Sequence, residues 1–397
     1  MKVCTGCTFP HKPENYGRIV DMLKAGKEAP RYDAPYHHGG ELSGRENIRL
    51  DFSVNVNPLG VPASVRNVLG GLLSQSDCGN ALAPLARYPD AVCTKLRRAL
   101  AGKVNLPEDF ILFGNGASEL IMLVVAALEP RNALLLAPSF SGYERALRSH
   151  GAKIFYHYLR RENNFALQEA PESLCFAGLD MIFLCNPNNP VGNCIDPELL
   201  ERFAGLCEER NIFLVVDECF LGFAADGESR SLVRLVPSHP HLIVIDAFTK
   251  RYAIPSLRLG YAFSSHAMLF RKMQALQAEW SVSLPAQTAG LAALAEDGYL
   301  AKARSLIIQE RAYMARELAG LSFTVYDGVA NFILFSSLGE DAGDVELYEK
   351  LLQRGMLIRS CANFHGLGDR DYRIAIRKHA ENEMLINALR DIRGLHG

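Results

Sequence analysis

The chain has 397 residues, 49% of them hydrophobic and 22% charged, with a formal net charge of -2. That balance excludes a disordered chain, and near-neutrality gives no electrostatic case for a nucleic-acid partner. No apolar run approaches the ~20 residues of a membrane span, and the start, MKVCTGCTFPHKPENYG, lacks the apolar stretch of a secretory signal, so a cytoplasmic location without a membrane partner is expected.

The length exceeds what one core usually organises and suggests one large domain with a smaller companion. The ten cysteines are scattered through apolar segments, as at Cys185, Cys207 and Cys219, which suits reduced buried thiols better than a disulfide framework. Cys4 and Cys7 form a C-x-x-C with His11 as the sole nearby ligand type. An unliganded N-terminal segment and no metal are therefore expected.

Apolar runs at Phe110–Phe113, Ala133–Ala137, Met181–Cys185, Ile212–Val216 and Leu242–Ile245 read as strands, in chain order with helical stretches such as Leu120–Leu128 and Glu198–Arg210. Continuous apolar strands between helices mark an α/β fold with a mostly parallel sheet sandwiched by helices. After Trp280 the pattern changes to long helices and two further strands, Val329–Phe335 and Tyr372–Ile376, which suits a smaller α+β domain. The expected division is an N-terminal segment at 1–75 packing with the small domain, a large domain at 76–290 and a small domain at 291–397.

The large-domain strands run into polar or glycine-bearing turns, FGNGASE, LCNPNNPVG, VVDECF and DAFTK. Turns beyond the carboxyl ends of parallel strands converge on one crevice, so these four are expected to line one site. In FTKRYAIPSLRLGY, Lys250 follows Thr249 and precedes Arg258 by eight positions. A lysine must be near neutral to form a Schiff base, and desolvation or nearby positive charge brings it there; taken alone, the same pair also suits a solvated basic face. Asp217 ends an apolar strand, where its carboxylate suits a protonated pyridine nitrogen or, equally, a helix cap. Asn189 offers a donor to a phenolic oxygen, and the amides of Ala117 and Ser118 open a helix suited to phosphate.

In this order and at these spacings, the four motifs resemble the fold-type-I pyridoxal-phosphate enzymes of the aminotransferase superfamily over nearly the whole chain. The resemblance implies pyridoxal 5'-phosphate as cofactor, Lys250 in Schiff-base linkage to it, Asp217 at the pyridine nitrogen, Asn189 at the phenolic oxygen and Phe140 stacked on the ring. It puts the phosphate on Gly116, Ala117, Ser118, Thr249 and Arg258, with Tyr88 in RYPD reaching across from the neighbouring subunit of a homodimer. HGG at His38–Gly40, DFSVNVNPLG at Asp51–Gly60, WSVSLPAQ at Trp280–Gln287 and IRSCANFHGL at Ile358–Leu367 are similar to the threonine-phosphate decarboxylases of cobalamin biosynthesis, with histidinol-phosphate aminotransferases next. That likeness carries substrate binding onto His38, Asn55, Arg359 and Arg373. Four positions depart from the family pattern: Ala247 for a serine or threonine, Phe220 for a tyrosine, Ser283 for an asparagine, and Glu41 after His37-His38-Gly39-Gly40.

The resemblance implies loss of the carboxylate of L-threonine O-3-phosphate to give (R)-1-aminopropan-2-yl phosphate. An aminotransferase of the histidinol-phosphate type and a non-catalytic pyridoxal-binding regulator are the alternatives. An arginine fork suits phosphate or carboxylate, and Arg359 and Arg373 adjoin apolar runs, so both are expected at strand edges.

Overall fold

The computed structural model describes residues 39–40, 46–75, 83–174, 176–337 and 346–394, and the account below concerns the compact unit Leu42–Gly397. Cys4, Cys7, His11, His38 and Glu41 lie outside the described residues, so the expectations placed on them have no structural counterpart.

In chain order the strands are β1 (Leu50–Asp51), β2 (Ile111–Gly114), β3 (Asn132–Ala137), β4 (Lys153–Tyr158), β5 (Met181–Cys185), β6 (Phe213–Asp217), β7 (Leu242–Ala247), β8 (Gly260–Phe263), β9 (Thr324–Val325), β10 (Phe332–Ser336), β11 (Met356–Leu357), β12 (Arg359–Ser360) and β13 (Asp371–Ala375). A seven-stranded sheet runs β2-β8-β7-β6-β5-β3-β4 and is parallel throughout except for β8, which is antiparallel to both neighbours. Two apolar clusters cover its faces. One gathers Leu184, Leu214, Val216 and Val244 with Phe203; the other gathers Phe183, Val215, Ile243 and Ile245 with Leu120 and Val124 of the helix Gly116–Leu128. Burial on both faces is why the central strands β5, β6 and β7 open with uninterrupted apolar runs.

The expected strands appear within a residue or so at most ends. β6 is shifted one residue from Ile212–Val216, so Asp217 is its last residue, in register with Cys185 of β5 and accepting at its carbonyl from Asn186 N at 2.9 Å. Two strands of the large sheet are additional. β4 is only half-buried along most of its length and so lacks a continuous apolar signal, and β8 follows directly on the Arg258 motif.

A second sheet has the order β12-β13-β10-β9, all antiparallel, and packs a third cluster around Phe332, Ile333, Phe335, Tyr372 and Ile374. β1 pairs in parallel with β11, and Phe52 O accepts from Ala375 N at 2.8 Å, so the segment after β1 runs beside β13. Arg161 joins the sheets: its guanidinium donates to both oxygens of Asp371 at 2.9 Å. Fork geometry of this kind is directional and fixes β13 against the turn that follows β4.

Candidate active site

The carboxyl ends of β2, β5, β6 and β7 share one edge of the large sheet, and the four polar turns leave from it. β7 passes into a single helical turn, Phe248–Arg251, that carries Lys250. Burial lowers the Lys250 amine to about 8, helped by the positive charges of Arg373 and Arg258 and opposed by Cys219 and Asp51. At pH 7 roughly a tenth of this amine is therefore unprotonated, far more than for an ordinary lysine, and that is the form that attacks a carbonyl.

Beside it, Arg258 has a left-handed backbone (φ 55°) after the turn Pro255–Leu257, and its guanidinium lies against Gly116. Gly116 has φ +77°, and a Cβ there would stand 2.6 Å from Arg258 Nη2, so conformation and space both demand glycine. Gly260 of β8 is equally confined, because its Cβ would come within 2.6 Å of Ala117 N. No side chain caps the helix Gly116–Leu128, whose first turn includes Ala117 and Ser118. Thr249 Oγ1 is buried without a hydrogen-bond partner. A guanidinium, an uncapped helix N-terminus and an orphan hydroxyl fit a phosphate.

Asp217 is 6% exposed and fixed at both oxygens: Tyr143 donates its hydroxyl to Oδ2 at 2.7 Å and Cys219 donates its amide to Oδ1 at 3.0 Å. Tyr143 comes from the helix Ser141–Ser149, which Phe140 precedes, and the two rings meet edge-on at 5.5 Å. Burial, and then the Asp217 charge, push the Tyr143 phenol well up, so it stays a donor. Tyr143 was absent from the sequence reading, since nothing in FSGYER marks a partner 74 positions away.

Arg373 donates to Asn189 Oδ1 and, at 2.8 Å, to Ser53 O. It is the middle residue of β13, between β10 and β12, which corrects the expectation of a strand edge: Arg373 is 7% exposed and sits over the Phe332 ring at 5.4 Å. Burial first, and the neighbouring Arg359, lower its guanidinium to about 10. Arg359 opens β12 directly across from Arg373, donates to Asn363 Oδ1 at 2.8 Å and covers Phe364 at 5.4 Å. Asn55 is 2% exposed and its Oδ1 has no partner.

Tyr88 differs from the rest: it is 75% exposed and stacks on Trp280 of its own chain at 4.2 Å. The departures have local consequences. Ala247 supplies no hydroxyl beside the orphan Thr249 oxygen, Phe220 packs edge-on against Phe332 at 5.0 Å, and Ser283 caps the helix Leu284–Leu294 through Ala286 N.

The aminotransferase class I and II model matches residues 48–389. The threonine-phosphate decarboxylase of Salmonella typhimurium is 39% identical over 363 residues, covering 89% of this chain and 96% of that one. A histidinol-phosphate aminotransferase of Anaeromyxobacter is 30% identical over 364 residues, covering 91% and 96%. The crystal structure of the histidinol-phosphate aminotransferase from Clostridium acetobutylicum superposes with a TM-score of 0.78 at 30% identity, over 87% of this chain and 99% of that one. With a depressed lysine, a buried carboxylate and a phosphate cradle at one sheet edge, the chain belongs to the aminotransferase class I and II family and is a pyridoxal 5'-phosphate enzyme of fold type I.

Proposed function

We infer that the enzyme removes the carboxylate of L-threonine O-3-phosphate as carbon dioxide and releases (R)-1-aminopropan-2-yl phosphate, a step of cobalamin biosynthesis. The observation that carries this reading is the pair Arg359 and Arg373, opposite each other on β12 and β13 and both at most 9% exposed, with Arg373 near enough to depress Lys250. Two buried cations side by side, one of them near the reactive amine, suit a substrate with two anionic groups. The 39% identity to a threonine-phosphate decarboxylase supports the choice among such substrates.

Pyridoxal phosphate, when bound, supplies an electron sink for the pair left at the substrate's Cα. Gly116, Ala117, Ser118, Thr249 and Arg258 would hold its phosphate, with Tyr88 of a neighbouring copy. Asp217 would keep its ring nitrogen protonated, Phe140 would cover its ring and Asn189 would donate to its phenolic oxygen. Arg359, Arg373, His38 and Asn55 would anchor the substrate's phosphate and carboxylate. Holding both anionic groups would fix which substrate bond at Cα is aligned to break. Carbon dioxide leaves, and Lys250 Nζ delivers one proton to Cα.

The exposure of the Tyr88 ring in a single copy supports the homodimer reading, in which it would meet a neighbouring copy. Six free cysteines among the described residues support a cytoplasmic setting. We also assign residues 76–290 to a large cofactor domain, 291–397 to a small domain and 1–75 to an N-terminal segment. A second reading, an aminotransferase of the histidinol-phosphate type, is favoured by the 30% identity to such enzymes. Incubation with threonine phosphate, serine phosphate and histidinol phosphate decides between them: carbon dioxide from threonine phosphate without a 2-oxo acid supports the decarboxylase. Amino transfer from histidinol phosphate without carbon dioxide from either amino acid would overturn it.

A further inference from the structure

The helical turn that carries Lys250 is four residues long, too short to hold its own geometry. Two charged residues bracket it. Asp246, in β7, is 5% exposed and has both oxygens engaged. Oδ1 accepts from Ala247 N at 2.6 Å, while Oδ2 accepts from the Tyr261 hydroxyl at 2.9 Å and from Arg251 Nη2. Arg251 is the residue after Lys250, so the ion pair spans the turn from one side of the lysine to the other.

Arg251 is held at two further points, and the residue after it closes the turn. Its carbonyl accepts from Asn57 Nδ2 at 2.9 Å, and Asn57 is 2% exposed. Its guanidinium covers Gly222, where a Cβ would stand 2.9 Å from Nε, so that position has no room for a side chain. Tyr252, the next residue, donates its amide back to Phe248 O at 3.0 Å and closes the turn. Glu218, which follows Asp217, is a second buried carboxylate close to Asp246 and Arg251.

A buried ion pair gives little net stability, because desolvating both charges offsets their attraction; what it supplies is one geometry out of several. Arg251 Nε is buried without a partner, which makes a purely stabilising role still less apt. Strand β7, strand β8 through Tyr261, and the segment after β1 through Asn57 all converge on the residue beside Lys250.

We propose that Asp246 and Arg251, anchored by Tyr261 and Asn57, are positioning residues that hold the Phe248–Arg251 turn so that Lys250 Nζ is presented to the cofactor's carbonyl carbon. This rests on Lys250 as the cofactor lysine. Attachment forms a carbon–nitrogen bond and releases one water, and its rate depends on how often the amine occupies the attacking position.

The test uses full-length apoenzyme of wild type, Asp246→Asn, Arg251→Met and Arg251→Lys, mixed with pyridoxal phosphate. Total bound cofactor is measured by dialysis, and covalent capture by timed borohydride quenching with peptide mapping. At temperatures where each protein is folded, Asp246→Asn and Arg251→Met should retain total cofactor within threefold yet capture it at Lys250 at least tenfold more slowly. Arg251→Lys should recover most of that rate. A merely structural pair would lower thermal stability and bound cofactor together without slowing capture per bound molecule, and that result would overturn the proposal. Should Arg251→Met fail to fold, the near-isosteric Asp246→Asn decides alone. Wild-type label on another lysine would instead defeat the assignment of Lys250, and this proposal with it.

Discussion

Arg373 donates a hydrogen bond to Asn189 Oδ1 across 184 positions of sequence, joining the middle of β13 to the turn after β5. The amide oxygen is thereby taken, which turns the Asn189 amide nitrogen toward donation elsewhere. One residue proposed to hold substrate thus orients one proposed to hold cofactor. Arg373→Ala should accordingly lower decarboxylation by about 100-fold, the scale for losing one partner of a buried charged contact. Because the substrate loses one anchor, the Cα–H bond should begin to sample the reactive orientation, and the cofactor's amine form should accumulate as carbon dioxide falls. Measuring both products together checks this. Equal loss of both would make Arg373 a general binding residue.

Asp217→Ala should leave cofactor bound through the phosphate cradle but lower kcat sharply, since an unprotonated pyridine is a poor electron sink. Tyr143→Phe is the gentler probe. It removes one charge-assisted hydrogen bond worth about 1.5–3 kcal/mol and leaves the Cys219 amide in place. A kcat loss of roughly 10- to 100-fold with KM little changed is expected. Wild-type kcat in Tyr143→Phe would show that Cys219 N alone suffices.

The Lys250 amine, lowered to about 8, gives a pH signature. Attachment of cofactor to apoenzyme requires the neutral amine, so its rate should rise about tenfold per pH unit below 8 and level off above it. The same shift acts on stability. The native state binds fewer protons than the unfolded chain between the folded value and the ordinary lysine value, so stability contributed at this site should rise with pH from about 8 to about 10.4. Comparing wild-type and Lys250→Met apoenzyme melts across that window reads the term. An attachment profile still rising at pH 10 would mean the lysine is not depressed.

Gly116→Ala should weaken cofactor binding at least tenfold, because the added carbon meets the Arg258 guanidinium at 2.6 Å and the residue must hold φ +77°. Left-handed backbone at a non-glycine costs on the order of 1–3 kcal/mol. Calorimetric titration of the apoenzyme with pyridoxal phosphate, alongside a thermal melt, separates lost affinity from lost fold. Unchanged affinity would remove Arg258 and Gly116 from the phosphate cradle.

How much of this was legible in the chain depends on the range of the interaction. β5, β6 and β7 announce themselves as uninterrupted apolar runs because both faces of the sheet are covered, and the turns after them carry Asn189, Asp217 and Lys250. β4 escapes because an edge strand is only half-buried, and KIFYHY has no clean period. Tyr143 and the Asp246–Arg251 pair escape for another reason. Their partners are fixed by packing, and DAFTKR reads equally well as a solvated charged turn until Tyr261 and Asn57 are seen closing over it. Arg373 was expected at a strand edge because it leads into the apolar run Ile374-Ala375-Ile376; its burial becomes intelligible only once Asn189 and Ser53 O are known as acceptors.

The account turns on which bond at Cα breaks, and heavy water reads that directly. Wild-type holoenzyme turning over threonine phosphate in deuterium oxide, with no 2-oxo acid present, should release carbon dioxide and give aminopropanol phosphate with one deuterium on the carbon that bore the carboxylate. The original hydrogen on that carbon should remain, and recovered substrate should carry no deuterium. Deuterium washing into the Cα of recovered substrate, without carbon dioxide, would mean that the Cα–H bond is the one aligned and would contradict the decarboxylase.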